Sequence, residues 1–443
     1  MEKSSVKSLS TKEKRMFKEL SKEERSWILF DWADSAYVMT VLTVVMSMYF
    51  SHSAALGGLS EAQGAAYLGF ANGFITLIAG LMAPVLGTLS GYIGKKKILF
   101  NFFTFLGIAA TVALSFVPSD YWWLLLIVFV ISAIAFNACN KIYDSFLADV
   151  SEKKNMDRVS SLGFGMGYIG GALGFILSII ALILALTGAI DLPIVLAYQI
   201  SFAVTALWWL LFSIPMIKNV KQQIGVPMED NYVRKSFVNV WLTMKEIFQN
   251  KKIVLFLIAF FLYSDGVGSI IRMAVIYGET IGIGQMTLLA VLLVVQFVAF
   301  PFALLYGKMA AKFGAKNTIY FGIATYCVIC VIALFMNPSL DMETLTIMYW
   351  SLAILVGTAQ GGIQALSRSY FGRIIPKEKS NEYFGIYNIF GRFASIIGTT
   401  LFGVVSLATG QPHYGIAVIA VLFILAAMIF RFVPDDRQLL DEN

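Results

Sequence analysis

The stretch NACNKIYDSFLAD (137–149) closes a long apolar run yet carries one ammonium and two carboxylates. A second stretch, SRSYFGRIIPKEK (367–379), echoes it near the other end of the chain. Aligning YDSFLADVSEKK with that segment sets Asp144 on Arg368, Ser145 on Ser369, Phe146 on Tyr370, Asp149 on Arg373 and Lys153 on Lys377. Two acids in one half face two arginines in the other. The pattern reads as a duplicated membrane protein whose halves meet along charged helix ends.

Composition sets the class. The chain has 443 residues, 58% of them hydrophobic and 14% charged, with a mean hydropathy of +0.76. It contains many apolar runs longer than a membrane span needs, so it reads as an all-α polytopic membrane protein. Twelve transmembrane helices are expected over 21–50, 64–93, 98–117, 121–148, 160–187, 193–217, 253–278, 286–311, 318–336, 345–372, 383–409 and 414–433. Ser21 followed by Glu24 is a capping-box signature at the start of the first. The polar, lysine-rich opening segment has no apolar core or cleavage site, and reads as a tail rather than a signal peptide.

Charge placement gives orientation. Every Lys and Arg except Lys141, Arg272, Arg368 and Arg392 lies in the tails, in Lys95–Lys97, or in the loops holding Lys153, Lys218, Lys308 and Lys377. The alternate connections have none. The positive-inside rule therefore puts both termini in the cytosol of a multi-pass cell-membrane protein. The net charge of +6 follows from topology and needs no nucleic-acid partner. The resulting organisation is a tail (1–26), a six-helix bundle (27–217), a cytosolic linker (218–252), a second six-helix bundle (253–433) and a tail (434–443). The duplication extends beyond the opening pair, because GTLSGYIGKKK (87–97) is echoed by GKMAAKFGAKN (307–317). Parallel repeats fit two bundles related by an axis along the membrane normal.

The Gly-x6-Gly-Lys-Lys-Lys turn resembles the signature loop of the major facilitator superfamily. LFDWADSAY (29–37), GGIQALSRSYFGRIIP (361–376) and FGIYNIFGR (384–392) resemble its vacuole-effluxer-like, autophagy-related branch. Two positions depart: Gly91 and Tyr92 stand where the superfamily loop has Asp and Arg, and Asp34 stands where the branch has Asn. The resemblance implies a secondary transporter, and its vacuolar members are associated with amino-acid efflux.

Buried charge then picks out candidate residues. At roughly 2.5–3.5 kcal/mol per charge on insertion scales, Asp34, Lys141, Asp144, Asp265, Arg272, Arg368 and Arg392 would together cost about 20 kcal/mol, more than a domain's typical stability. They must be paired or hydrated. Asn137, Lys141 and Asp144 share a face by i, i+4 and i+7 spacing, and Lys141 can reach Asp144. Gln360, Gln364 and Arg368 make a second stripe, ending in a fork suited to a carboxylate. Arg392, ~16 Å along its helix from Asn381 at ~1.5 Å per residue, is the deepest candidate for binding a substrate anion, unless it pairs with Asp265 or Asp144. With Asn388 on the same helix, the candidate substrate set is Arg392, Gln360, Gln364, Asn388, Asn137 and Lys141.

For a coupling proton the candidates are Asp34, Asp265 and Asp31, since both histidines, His52 and His413, fall in outer connections. Asp144, Asp149, Arg368 and Arg373 are expected to pair across the halves, themselves or through neighbours, when the cytosolic side is closed. Gly163, Gly167, Gly170, Gly171 and Gly174 read as a close-packing face of the fifth helix. Cys327 and Cys330 lie in an apolar run without further ligands, so no metal or cofactor is implied, and no phosphate-binding loop points to ATP. The expected partners are a small-molecule substrate, the lipid bilayer and a coupling proton, with the chain acting as a monomer. Three functions fit: gradient-driven movement of a small polar solute such as an amino acid or other carboxylate, a lipid flippase on the same scaffold, or a non-transporting receptor. No nucleophile constellation points to an enzyme.

Overall fold

The computed structural model describes residues 20–227, 232–336, 340–394 and 396–435. Membrane helices run as α1 (Lys22–Leu56), α2 (Glu61–Gly91), α3 (Lys95–Leu114), α4 (Trp122–Ser145), α5 (Met156–Leu186), α6 (Ile194–Asn219), α7 (Lys251–Thr280), α8 (Gln285–Phe313), α9 (Ala315–Phe335) and α10 (Met342–Ile374). α11 comes in two pieces, Ser380–Phe393 and Ile396–Thr409, and α12 is Pro412–Phe430. Eleven of the twelve are long and apolar enough to cross a membrane as single helices. The broken α11 is the exception.

Local chemistry sets several of the helix starts. Ser21 and Glu24 form the expected capping box, with reciprocal bonds of 3.0 and 2.8 Å. Ser60 and Gln63 form a second one that starts α2 three residues before the expected boundary. Gly94 and Gly314 take the corresponding turns of the two halves at φ +80° and +88°, where L side chains are strained, and α3 and α9 begin at the next residue. The repeat seen as GTLSGYIGKKK and GKMAAKFGAKN thus places a positive-φ glycine immediately before each helix, although the two turns differ in ψ, −13° at Gly94 and 150° at Gly314.

Buried apolar residues fall into two clusters, one from Leu20 to Val220 and one from Ile247 to Val433. Between the halves, α5 packs on α8 and α10, while the first piece of α11 packs on α2. The glycine face of α5 is a packing device. A Cβ on Gly170 would stand 2.6 Å from the Trp32 carbonyl oxygen and one on Gly163 would stand 2.3 Å from Asp31 Oδ2, so α1 lies directly against it.

Three features differ from expectation. α1 contains a π-helical segment at Val38–Val44, where Thr43 Oγ1 donates to the Val38 carbonyl (2.8 Å); a β-branched run crowds the normal turn there. The linker, expected as a polar connection, holds a helix at Tyr232–Gln249, pinned by the Thr243–Glu382 hydrogen bond and a Lys379–Glu246 bridge of 2.6 Å. The histidines sit inside helix ends, His52 in the last turns of α1 and a buried His413 in the first turn of α12.

Candidate functional site

The helix ends nearest the basic loops are held together by Arg368 of α10. Its guanidinium is 4% exposed and reaches into the other half, with Nη1 donating to Asp144 Oδ1 (3.2 Å) and Nη2 to Asp31 Oδ2 (3.3 Å). Nε donates to Ser160 Oγ (3.0 Å). Aromatic faces enclose it, with Phe164 at 4.4 Å, Trp27 at 4.6 Å and Tyr143 at 5.7 Å from the guanidinium carbon to the ring centroids. Trp27 and Tyr143 fix each other through reciprocal side-chain-to-carbonyl bonds of 3.1 Å. One cation from the second half is therefore clamped by α1, α4 and α5 of the first.

The second expected cross-pair is rearranged. Arg373 pairs with Asp157, which also accepts from Ser369 Oγ. Asp149 instead pairs with Lys96 of its own half and accepts from the backbone amides of Gln223 (2.7 Å) and Ile224 (2.8 Å). α4 ends at Ser145, and the short turn beyond it aims Asp149 at α3 and the linker, leaving the first turn of α5 to supply the cross-partner. Asp157, Ser160 and Trp27 were missed in the sequence. The acidic first turn of α5 was the available signal for Asp157. Beyond α4 the exposed Lys154–Glu152 pair (2.7 Å) holds the Glu152 carboxyl below its usual range through a hydrogen bond, a contact of small energetic weight.

A cavity of about 230 Å³ opens beside Arg368. Asp144 and Phe164 of the first half line it, opposite Ser264 of α7, Gln364 and Arg368 of α10, and Tyr387 of α11. Gln364 accepts a 3.4 Å bond from Tyr168 of α5. Lys141 Nζ donates to Asn388 Oδ1 (2.9 Å), a second polar bridge between halves, while Asn137 Nδ2 donates to the Ala133 carbonyl of its own helix (2.7 Å). Gln360 lines a second, smaller and apolar cavity formed by the second half.

α11, expected as one helix over 383–409, breaks at Ala394, which is extended at ψ 146°. The break frees amides at the start of the second piece, and Asp265 Oδ1 accepts from the Gly398 amide (2.9 Å) and from Ser269 Oγ (3.2 Å). Arg392 is on the last turn before the break, and its side chain lies outside the described residues. Asp34 is 4% exposed, and no salt bridge reaches it among the described residues.

The model of the vacuole effluxer Atg22 like family matches residues 56–443. The chain belongs to that family. The MFS-type transporter YxiO of Bacillus subtilis (strain 168) is 46% identical over 423 residues, spanning 96% of this chain and 97% of that one. Autophagy-related protein 22-1 of Aspergillus fumigatus is 27% identical over 313 residues, covering 65% of this chain and 49% of the fungal one, so this effluxer-like chain spans about half the length of its fungal relative. The fold matches the proton:xylose symporter XylE bound to 6-bromo-6-deoxy-D-glucose, at TM-score 0.72 and 13% identity over 94% of this chain and 96% of that one. It also matches the MFS transporter FucP in the outward conformation, at TM-score 0.71 and 14% identity over 94% and 98%. This member of the effluxer-like family is a multi-pass, MFS-type transporter by homology and fold.

Proposed function

We propose that this transporter moves a small polar solute bearing a carboxylate, an amino acid or another organic acid, across the cell membrane by alternating access coupled to protons. The basic loops face the cytosol in this reading, and the arrangement described is the one with the cytosolic side closed. A single observation carries it: Arg368 is both the cation that locks the two halves and a charged wall of the cavity between them.

A solute carboxylate in that cavity competes with Asp144 for the same guanidinium edge. Such an exchange shifts the balance between the two states by the difference in how tightly the solute is held in each, and inverting a 1:99 population takes ~5.5 kcal/mol of that difference. Asp34 carries the proton, since it is buried without a salt bridge among the described residues, whereas Asp265 is engaged in capping. At about 230 Å³ the cavity is smaller than the roughly 300–1,000 Å³ of drug-sized ligand sites, which favours a small solute over a lipid substrate.

Purified protein in proteoliposomes, with an imposed pH gradient and radiolabelled amino and organic acids, tests the reading. Accumulation of one such solute by the wild type, lost in Arg368→Ala, is the expected result. Accumulation that survives Arg368→Ala would remove the lock from the mechanism.

A further inference from the structure

Away from the solute cavity, a separate cavity of about 160 Å³ lies between α5 and α8 near the basic loops, lined by Arg158, Ser161 and Leu162 of one half and Leu304, Gly307 and Lys308 of the other. We propose that this groove binds the phosphate of an anionic phospholipid, clamping the halves from the membrane side.

Three observations converge on it. The two cations come from opposite halves, so a single oxyanion between them bridges the seam. Ser161 is 1% exposed and its hydroxyl has no hydrogen-bond partner among the described residues, although it lines the cavity; a phosphate oxygen is the acceptor it lacks. Gly307 keeps the groove narrow, since a Cβ there would meet Ser161 Oγ at 2.9 Å.

The surroundings choose a lipid over a free ion. Pro301, Leu305, Lys308 and Lys312 form one exposed stripe of α8, apolar for its first two members and cationic for the next two. That sequence is the signature of a helix leaving hydrocarbon for headgroups, with Lys308 at the boundary. A phosphate held by Arg158 and Lys308 leaves its acyl chains on Leu305 and Pro301. None of these residues lines the solute cavity, so the site is independent of which solute is carried.

Native mass spectrometry of the full-length protein in detergent provides the test, with added phosphatidylglycerol, phosphatidylcholine or inorganic phosphate. The wild type should retain one phosphatidylglycerol in preference to phosphatidylcholine. Arg158→Gln/Lys308→Gln should lose at least about tenfold of that preference, since two charge-assisted contacts are removed, while Lys252→Gln, an exposed cation elsewhere at the basic end, should keep it. Equal retention by the wild type and the double variant overturns the proposal. So does displacement of the lipid by an equal concentration of inorganic phosphate, which would show that the acyl chains contribute nothing. If the double variant does not fold, Lys308→Gln alone, at an exposed position, must show the loss.

Discussion

Arg368 illustrates what a single residue can and cannot disclose from sequence. Its charge inside an apolar run, and its alignment with Asp144, made the cross-bundle pair readable. Its second carboxylate, Asp31, and the Trp27, Tyr143 and Phe164 enclosure depend on three other helices and left no local pattern. A lysine keeps the charge but loses the planar fork and the stacking. Arg368→Lys is therefore expected to fold and to transport at a rate at least about tenfold lower, one charge-assisted contact's worth, in a proteoliposome assay. Glycines give a sharper steric prediction. Gly170→Ala drives a Cβ against the Trp32 backbone and should cost about 1–3 kcal/mol, read as a lowered Tm, whereas Gly69→Ala, inside α2, meets nothing within 4 Å and should raise Tm slightly through helix propensity worth up to about 1 kcal/mol.

At the scale of elements, helix number and identity were legible because twenty-residue apolar runs and basic loops are strong signals. The breaks within helices were not. α11 contains no proline, and Ala394 looks like any helical residue; the break persists because Asp265, more than a hundred residues earlier, caps the amides it exposes. The π-helical segment of α1 is similarly silent in sequence beyond its β-branched run. The capping geometry separates two carboxylates that sequence reasoning treated alike. Asp265→Asn retains an oxygen for the Gly398 amide and should preserve proton-driven accumulation, while Asp265→Ala loses a cap worth about 0.5–2 kcal/mol and should lower Tm. Asp34→Asn should fold normally and exchange solute, yet fail to accumulate it against a gradient. Normal accumulation by Asp34→Asn would take the coupling role away from Asp34.

For the molecule as a whole, the duplication is what makes the lock possible. Matching helix ends in the two halves arrive at one level of the seam, and opposite charges at corresponding positions, acidic in one repeat and basic in the other, make a contact that neither half can form alone. The exact partners drifted by one element, with Asp157 taking the place expected of Asp149, because the turn after α4 redirects the latter to Lys96. In the proposed cycle these contacts close the basic end in one state and release it in the other. Spin labels on Glu152→Cys and Glu378→Cys, both exposed in the basic loops of opposite halves, report that distance by pulsed electron resonance once the three native cysteines are replaced. A short-distance population in the wild-type background that moves to longer distances in Arg368→Ala is the predicted result; identical distance distributions in the two would contradict it.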